Sequence, residues 1–142
     1  MRILSKYCII LLSLSFALNP NNSDIYNDSW AVIIGINNYK NAPLLNYAVQ
    51  DAESINNLLV KQFKFPESNI KMLINEQATN ANIKETLYEI TRSAEEKDRI
   101  VVFFAGHGMT LDLFKGGESG YLLPEDADPN NLYLTSLPMD EL

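Results

Sequence analysis

The sequence has 142 residues, of which 46% are hydrophobic and 20% charged, a composition typical of soluble globular proteins rather than of disordered or fibrous ones. This length suits one domain. Its 18 acidic residues outnumber 11 basic ones, giving a net charge of -7, and no stretch gathers Lys and Arg, which excludes the clustered cations that a nucleic-acid site needs.

Residues 1–18 differ in composition from the rest of the chain. Arg2 and Lys6 precede a short apolar run that ends in the small residues Ser15 and Ala17, flanking one phenylalanine. This pattern predicts a secretory signal peptide and therefore an exported protein, periplasmic or extracellular. The apolar run is shorter than the roughly 20 residues that span a bilayer as a helix. An uncleaved N-terminal membrane anchor is the alternative, and it would be the protein's contact with a membrane.

The sequence contains one cysteine, Cys8, which lies inside this segment. Removal of the signal would leave a mature chain without a thiol, and hence without a disulfide, a cysteine metal site or a nucleophilic cysteine. Residues 19–28 (NPNNSDIYND) have the composition of an exposed linker. We therefore expect the domain to occupy residues 29–142.

Strands and helices alternate along the domain. Residues 30–36 form a continuous apolar run, typical of a strand buried on both faces. Apolar residues at steps of three and four predict a helix over residues 44–62. A second strand follows at residues 69–74, a second helix at residues 79–94 and a third apolar strand at residues 99–104. This order predicts an α/β fold, with a mostly parallel sheet flanked by helices, because it builds right-handed crossovers.

The chain after the third strand is predicted to be largely irregular, because five glycines lie close together there. A short strand is expected at residues 121–123 and the first turn of a helix from Ser136 onwards. Within the second helix, Thr79 is the expected N-cap, and Asn82 and Glu85 have capping-box spacing one turn further on.

His107, the one histidine, follows the third strand directly, between Gly106 and Gly108. Ligand sites of open parallel sheets lie at the carboxyl ends of the strands, which places this side chain where catalysis would occur. Glycine on either side suits a backbone that turns sharply and approaches another group closely. From the residues alone, His107 is either catalytic or a polar loop residue that bridges backbone groups.

Four segments place this histidine in a wider pattern. In chain order they are WAVIIGIN (30–37), LNYAVQDA (45–52), VVFFAGHG (101–108) and GYLLP (120–124). Together they resemble the caspases and metacaspase-like peptidases, most of all their bacterial members, over residues 29–142. The resemblance implies the three-layer caspase-like fold and a Cys/His dyad that cleaves peptide or protein substrates. His107 matches the catalytic histidine of that family, and Gly108 matches the glycine whose N–H stabilises the oxyanion.

Asp51 matches an aspartate that lines the primary specificity pocket of metacaspases, so the resemblance implies a preference for Arg or Lys. The alternative is a solvent-facing helix residue. Some metacaspases bind calcium through aspartates in the stretch that holds Asp126, Asp128 and Asp140. Met139 stands where one more acid is expected, so a solvated acidic loop is the favoured interpretation and no cofactor is expected.

The nucleophile is not in this sequence. In the caspase pattern the cysteine follows the histidine by about 50 residues, which places it near position 157, and the sequence ends 35 residues after His107. We expect the chain to be truncated before the cysteine-bearing strand and inactive alone. Two functions remain: a cysteine endopeptidase whose other part lies downstream, or a non-catalytic module that binds peptides or partners through the same cleft.

Two further kinds of site are disfavoured. A dinucleotide fingerprint needs three glycines near the end of the first strand, where this sequence has Gly35 alone. A zinc site at His107 lacks a second histidine, and the one cysteine lies in the predicted signal peptide.

Overall fold

The computed structural model describes residues 2–3, 8–9, 25–113 and 116–142. The predicted signal peptide and the first part of the predicted linker lie outside the described residues, apart from the two N-terminal pairs. Within these ranges, no helix has the length and apolar character needed to cross a membrane.

Strands and helices alternate through the first part of the domain, and mainly antiparallel strands follow in the last part. The strands are β1 (Arg2–Ile3), β2 (Cys8–Ile9), β3 (Ser29–Gly35), β4 (Ile70–Ile74), β5 (Arg99–Gly106), β6 (Gly108–Asp112), β7 (Glu118–Leu122) and β8 (Leu137–Pro138). The helices are α1 (Ala48–Lys61), α2 (Asn80–Ser93) and α3 (Leu132–Thr135), with single 3-10 turns at Glu67–Asn69, Asn75–Gln77 and Met139–Glu141.

Three parallel strands form the centre of the fold. β3 lies between β4 and β5 and is parallel to both, with Ile33 opposite Met72 and Phe103. β2 pairs antiparallel with the other edge of β5. All of β3 except Trp30 is buried, so the strand is covered on both faces as its sequence predicts. The predicted α/β class and the parallel sheet between helices are confirmed.

The two faces of β3 belong to two hydrophobic clusters. Ala31 and Ile33 pack on the side of α1, and Val32 and Ile34 pack on the opposite side, with residues of α2 and of the later strands β6, β7 and β8. Alternate side chains of a strand point to opposite faces, which is why one continuous apolar run supplies both layers.

Helix α1 packs closely on the carboxyl end of β3. A Cβ on Gly35 would lie 2.7 Å from the Cβ of Ala52 and 2.8 Å from the carbonyl oxygen of Ala48, so only glycine permits this approach. The predicted start of the helix at residue 44 is wrong by four residues. The chain before Ala48 is held instead by Asn37, whose carbonyl oxygen accepts from Leu45 N and whose Oδ1 accepts from Val49 N.

Helix α2 begins at the predicted cap. Thr79 Oγ1 accepts a hydrogen bond from Asn82 N at 3.2 Å, which satisfies one of the free N–H groups of the first turn. Asn82 and Glu85, which have capping-box spacing, form no hydrogen bond with each other among the described residues; Asn82 N donates to Thr79 and its Nδ2 donates to the carbonyl oxygen of Gln77.

The last part of the domain is more regular than its glycines suggest. β6 and β7 form an antiparallel hairpin, and β7 also pairs with β8. The predicted strand at residues 121–123 is the end of β7. The helical turn predicted from Ser136 starts three residues later, as the 3-10 turn Met139–Glu141. Ser136 N donates to the carbonyl oxygen of Leu132 and so ends α3, and Leu137 is buried in the core as part of β8.

Candidate active site

His107 connects the two sheets. It is the single residue between β5 of the parallel sheet and β6 of the antiparallel sheet. The carboxyl ends of β3 and β5 and the first turn of α1 meet at the same edge. The sequence-based placement of the histidine at this edge is therefore confirmed.

The imidazole of His107 is held by a backbone group. Its Nε2 lies 2.7 Å from the carbonyl oxygen of Pro43. A carbonyl oxygen only accepts hydrogen bonds, so Nε2 carries the proton in this contact and Nδ1 is the nitrogen with a free lone pair in the neutral ring. The contact therefore selects both the tautomer and the nitrogen that can exchange a proton with a substrate.

The backbone of His107 is fixed on both sides. Its N–H donates to the hydroxyl oxygen of Tyr39 at 2.8 Å, and its carbonyl oxygen accepts from Leu123 N at 2.9 Å. The rings of Tyr39 and His107 also lie against each other, with centroids 4.8 Å apart and planes inclined by 52°. Together with Pro43, three separate points of the chain thus determine where this side chain lies.

The side chain of Tyr39 is buried where it contacts His107. Its side chain is 9% exposed, and burial raises the pKa of its hydroxyl far above the ordinary value, against a smaller lowering by the hydrogen bond from His107. The phenol is therefore neutral at physiological pH. A Cβ on Gly106 would collide with this hydroxyl and lie 2.8 Å from the ring of Phe104, so the glycine before the histidine is a packing requirement.

The N–H of Gly108 points away from the hairpin. Antiparallel partners alternate between hydrogen-bonded and non-hydrogen-bonded pairs. Leu123 N donates to His107 O, so the next pair, Gly108 with Leu122, is of the non-hydrogen-bonded kind. This orientation leaves the Gly108 N–H directed to the side of β6 opposite β7.

The loop that carries Tyr39 and Pro43 is anchored at its start. Asn75 Oδ1 accepts from Asn37 N at 2.8 Å and from Asn38 N at 3.2 Å. Asn75 has a φ of 47°, a left-handed conformation that asparagine adopts more readily than most residues. The side chain of Asn75, which follows β4, therefore fixes the backbone of the two residues at the start of this loop.

The middle of the same loop is tied to the segment after β7. Lys40 N donates to the carbonyl oxygen of Glu125 at 3.1 Å, and Asn41 Nδ2 donates to that of Ala127 at 3.1 Å. The Lys40 ammonium also lies 3.1 Å from Oε2 of Glu125, whose side chain is almost fully buried. That oxygen makes no directed hydrogen bond, so the pair is an ion pair rather than a charge-assisted hydrogen bond.

Asp51 lies in the first turn of α1, near the same edge as His107. It is half-buried, and its N–H donates to the carbonyl oxygen of Tyr47. A carboxylate in this turn is favoured by the helix dipole. Within the described part of the chain, Asp51 and His107 share the edge of the sheet but form no hydrogen bond with each other.

The three aspartates considered for calcium lie in different settings. Asp126 Oδ1 accepts from Asn80 N at the start of α2, and Asp128 Oδ1 accepts from Asn130 N in a turn. Asp140 is exposed near the C-terminal end. Among the residues that the structure describes, no group of three or more His, Cys, Asp or Glu side chains is arranged to hold a metal ion.

Comparison with known proteins decides the family of this site. The model of the caspase domain matches residues 28–141. The chain belongs to the caspase family. It is 26% identical to Metacaspase-1 of Eremothecium gossypii over 70% of this chain and 24% of that protein. It is 32% identical to Metacaspase-6 of Arabidopsis thaliana over 68% of this chain and 29% of that protein.

A third relative, Metacaspase-1 of Plasmodium falciparum, is 31% identical over 76% of this chain and 20% of that protein. The chain thus spans between a fifth and a third of the length of these caspase-family relatives. All three are eukaryotic proteins, so a particular likeness to bacterial members stays a prediction.

Sequence reasoning missed Tyr39 and Pro43. Tyr39 lies in a polar segment that only indicates the end of a strand, and its distance of 68 residues from His107 gives no local signal. Pro43 acts through its carbonyl oxygen, which every residue type carries, so no side-chain pattern could have identified it.

Proposed function

We propose that this caspase-family chain is the histidine-bearing part of a cysteine endopeptidase, in which His107 works with a cysteine thiolate. The main support for this proposal is the contact of His107 Nε2 with the Pro43 carbonyl oxygen, which leaves Nδ1 as the nitrogen that exchanges a proton. A backbone group that orients the base is the third member of the nucleophile, base and orienter arrangement of covalent catalysis.

The reaction has two halves. The thiolate attacks the peptide carbonyl carbon, the C–N bond breaks as Nδ1 of the protonated His107 gives its proton to the leaving amine, and a thioester remains. Nδ1 then takes a proton from water, the resulting hydroxide attacks the thioester carbon, and the carboxylic acid leaves as the thiolate is restored. The proton on Nε2 stays on that nitrogen throughout and is donated in a hydrogen bond to the Pro43 carbonyl oxygen.

Gly108 supports the charge that develops on the carbonyl oxygen. Its N–H is directed away from β7 by the strand pairing, to the side of β6 on which Arg2–Ile3 of the predicted signal peptide pairs with Thr110 and Met109. Removal of that segment would open this side of β6 to a substrate. A backbone donor fixed in this way stabilises an oxyanion without reorganising during the reaction.

Asp51 gives this peptidase a preference for Arg or Lys. Its half-buried carboxylate stands at the sheet edge that carries His107, where a substrate side chain next to the cleaved bond would lie. An acidic or neutral side chain would leave that carboxylate partly desolvated and unpaired, at a cost of roughly 2 to 5 kcal/mol.

Substrate selectivity tests this assignment in a form of the protein that includes a cysteine downstream. We expect cleavage after Arg or Lys and not after Asp, and Asp51→Asn should lower kcat/KM for basic fluorogenic peptides by at least about 30-fold. Glu53→Gln is the matched control, since Glu53 is an exposed acid of the same helix. Cleavage after Asp, or unchanged selectivity in Asp51→Asn, would remove Asp51 from the pocket. Peptide binding without any cleavage would favour the non-catalytic module.

The protein is proposed to act outside the cytoplasm. The basic start, apolar run and small residues of 1–18 support export with cleavage near Ala17. Expression in a bacterium with an export pathway should give a periplasmic product whose mass lacks Met1 and Cys8. Intact Met1 on an exported product would favour the anchor, and retention in the cytosol would contradict export.

A further inference from the structure

We propose that Tyr39 is a positioning residue for His107: its hydroxyl, together with the Pro43 carbonyl from the same loop, fixes the orientation and tautomer of the imidazole. The proposal rests on the proposed function only in treating His107 as the acid and base. Tyr39 itself is placed behind the histidine and has no role in contacting substrate.

The hydroxyl replaces a bond that the strand ladder would otherwise make. In a regular hydrogen-bonded pair, His107 and Leu123 would exchange two N–H to carbonyl bonds. The structure has one of these, from Leu123 N to His107 O, while the His107 N–H donates to the Tyr39 hydroxyl. The backbone at the histidine is therefore set jointly by the second sheet and by the loop after β3.

Packing against the ring adds to this hydrogen bond. The Tyr39 ring contacts the imidazole at a centroid distance of 4.8 Å, and Gly106 leaves the space that lets the hydroxyl reach the backbone. The phenylalanine analogue would keep the ring contact and lose only the acceptor. Removal of this one oxygen atom therefore separates the effect of the hydrogen bond from the effect of the ring contact.

Tyr39 and Pro43 act as one unit because only three residues of a short loop separate them. The ties from Lys40 to Glu125 and from Asn41 to Ala127 hold the stretch between them to the segment after β7. A displacement of this loop would release the amide of His107 and its Nε2 together. Loss of the Tyr39 hydroxyl bond is therefore expected to loosen the contact with the Pro43 carbonyl as well.

Nuclear magnetic resonance on this chain can test the proposal, because His107 is its one histidine and gives one set of imidazole signals. In the unmodified chain, at a pH where the ring is neutral, the two ring ¹⁵N shifts should report the Nε2–H tautomer alone. In Tyr39→Phe they should move toward the values of free histidine, and the His107 amide should exchange with solvent roughly tenfold faster.

Tyr133→Phe is the matched control, because Tyr133 is an exposed tyrosine on α3. It should leave both signals unchanged, and amides of the buried strand β3 should keep their protection in every variant. Ring ¹⁵N shifts that stay the same in Tyr39→Phe would overturn the proposal, whatever the amide does, since the hydroxyl would then be merely structural. The readout is the imidazole itself, so failure of the proposed peptidase activity would not affect it.

Should Tyr39→Phe not fold, Asn41→Ala provides the same test on the loop. It removes the bond to Ala127 and leaves the Tyr39 side chain in place. A smaller movement of the ring shifts in the same direction is expected, and unchanged shifts would again contradict the proposal.

Discussion

Replacing His107 with alanine, in a form of this protein that includes the catalytic cysteine, should lower kcat for every peptide substrate by about 10³ to 10⁴-fold. The loss is independent of the side chain recognised, because protonation of the leaving amine and activation of water both need the imidazole. Initial rates on Arg, Lys and Asp fluorogenic peptides would measure it. The 142-residue chain, whose one cysteine is Cys8, should show no turnover.

His107→Gln separates the proton transfer from the contacts around it. An amide side chain can donate a hydrogen bond but cannot exchange a proton at neutral pH, so this variant should be nearly as slow as His107→Ala. Thr110→Ala, on the neighbouring strand β6, should stay close to the parent. A glutamine variant that keeps a tenth or more of the parent rate would contradict acid and base catalysis by His107.

Phe104→Ala should lower the free energy of unfolding by about 3 to 5 kcal/mol. Phe104 is 2% exposed in the hydrophobic cluster on the α2 side of the central sheet, and its ring lies directly beneath Gly106. Removing the ring leaves a cavity that the rigid strand β5 cannot close. Urea unfolding of the 142-residue chain, followed by circular dichroism, is the measurement.

Ile100→Ala is the control within the same strand. Ile100 is 40% exposed, so less apolar area is lost to water and the residual cavity is small; we expect a loss of about 1 kcal/mol. Equal losses at Phe104 and Ile100 would show that the carboxyl end of β5 is not the tightly packed support of the histidine described above.

The central sheet could be predicted because its signal is local. The apolar run of β3 and the three- and four-residue spacing in α1 and α2 follow directly from burial on one or both faces. His107 could be placed at the edge of the sheet because it follows β5 without an intervening residue. The Thr79 cap is likewise encoded within one helical turn.

The second sheet and the surroundings of the histidine depend on distant contacts. The single glycine of β7, Gly120, gave no strand pattern before Tyr121, although it pairs with Thr110 of β6. Ser136 looked like a helix cap because serine often is one, yet its N–H ends α3 and its side chain is buried. Pro43 holds His107 by a carbonyl oxygen across 64 residues, a relation that residue identity does not reveal.

The one-residue link between β5 and β6 makes the spacing of this segment intolerant of change during evolution. Because successive strand side chains face opposite sides, an inserted residue between Gly106 and Gly108 would turn the whole of β6 over. Met109, now 5% exposed, would point into water, and polar neighbours would enter the core. The turn after β6, where Gly116 and Gly117 both have positive φ and open space around them, can accept length variation without that penalty. Homologous chains should therefore vary in length at the turn and keep the glycine, histidine, glycine spacing unchanged.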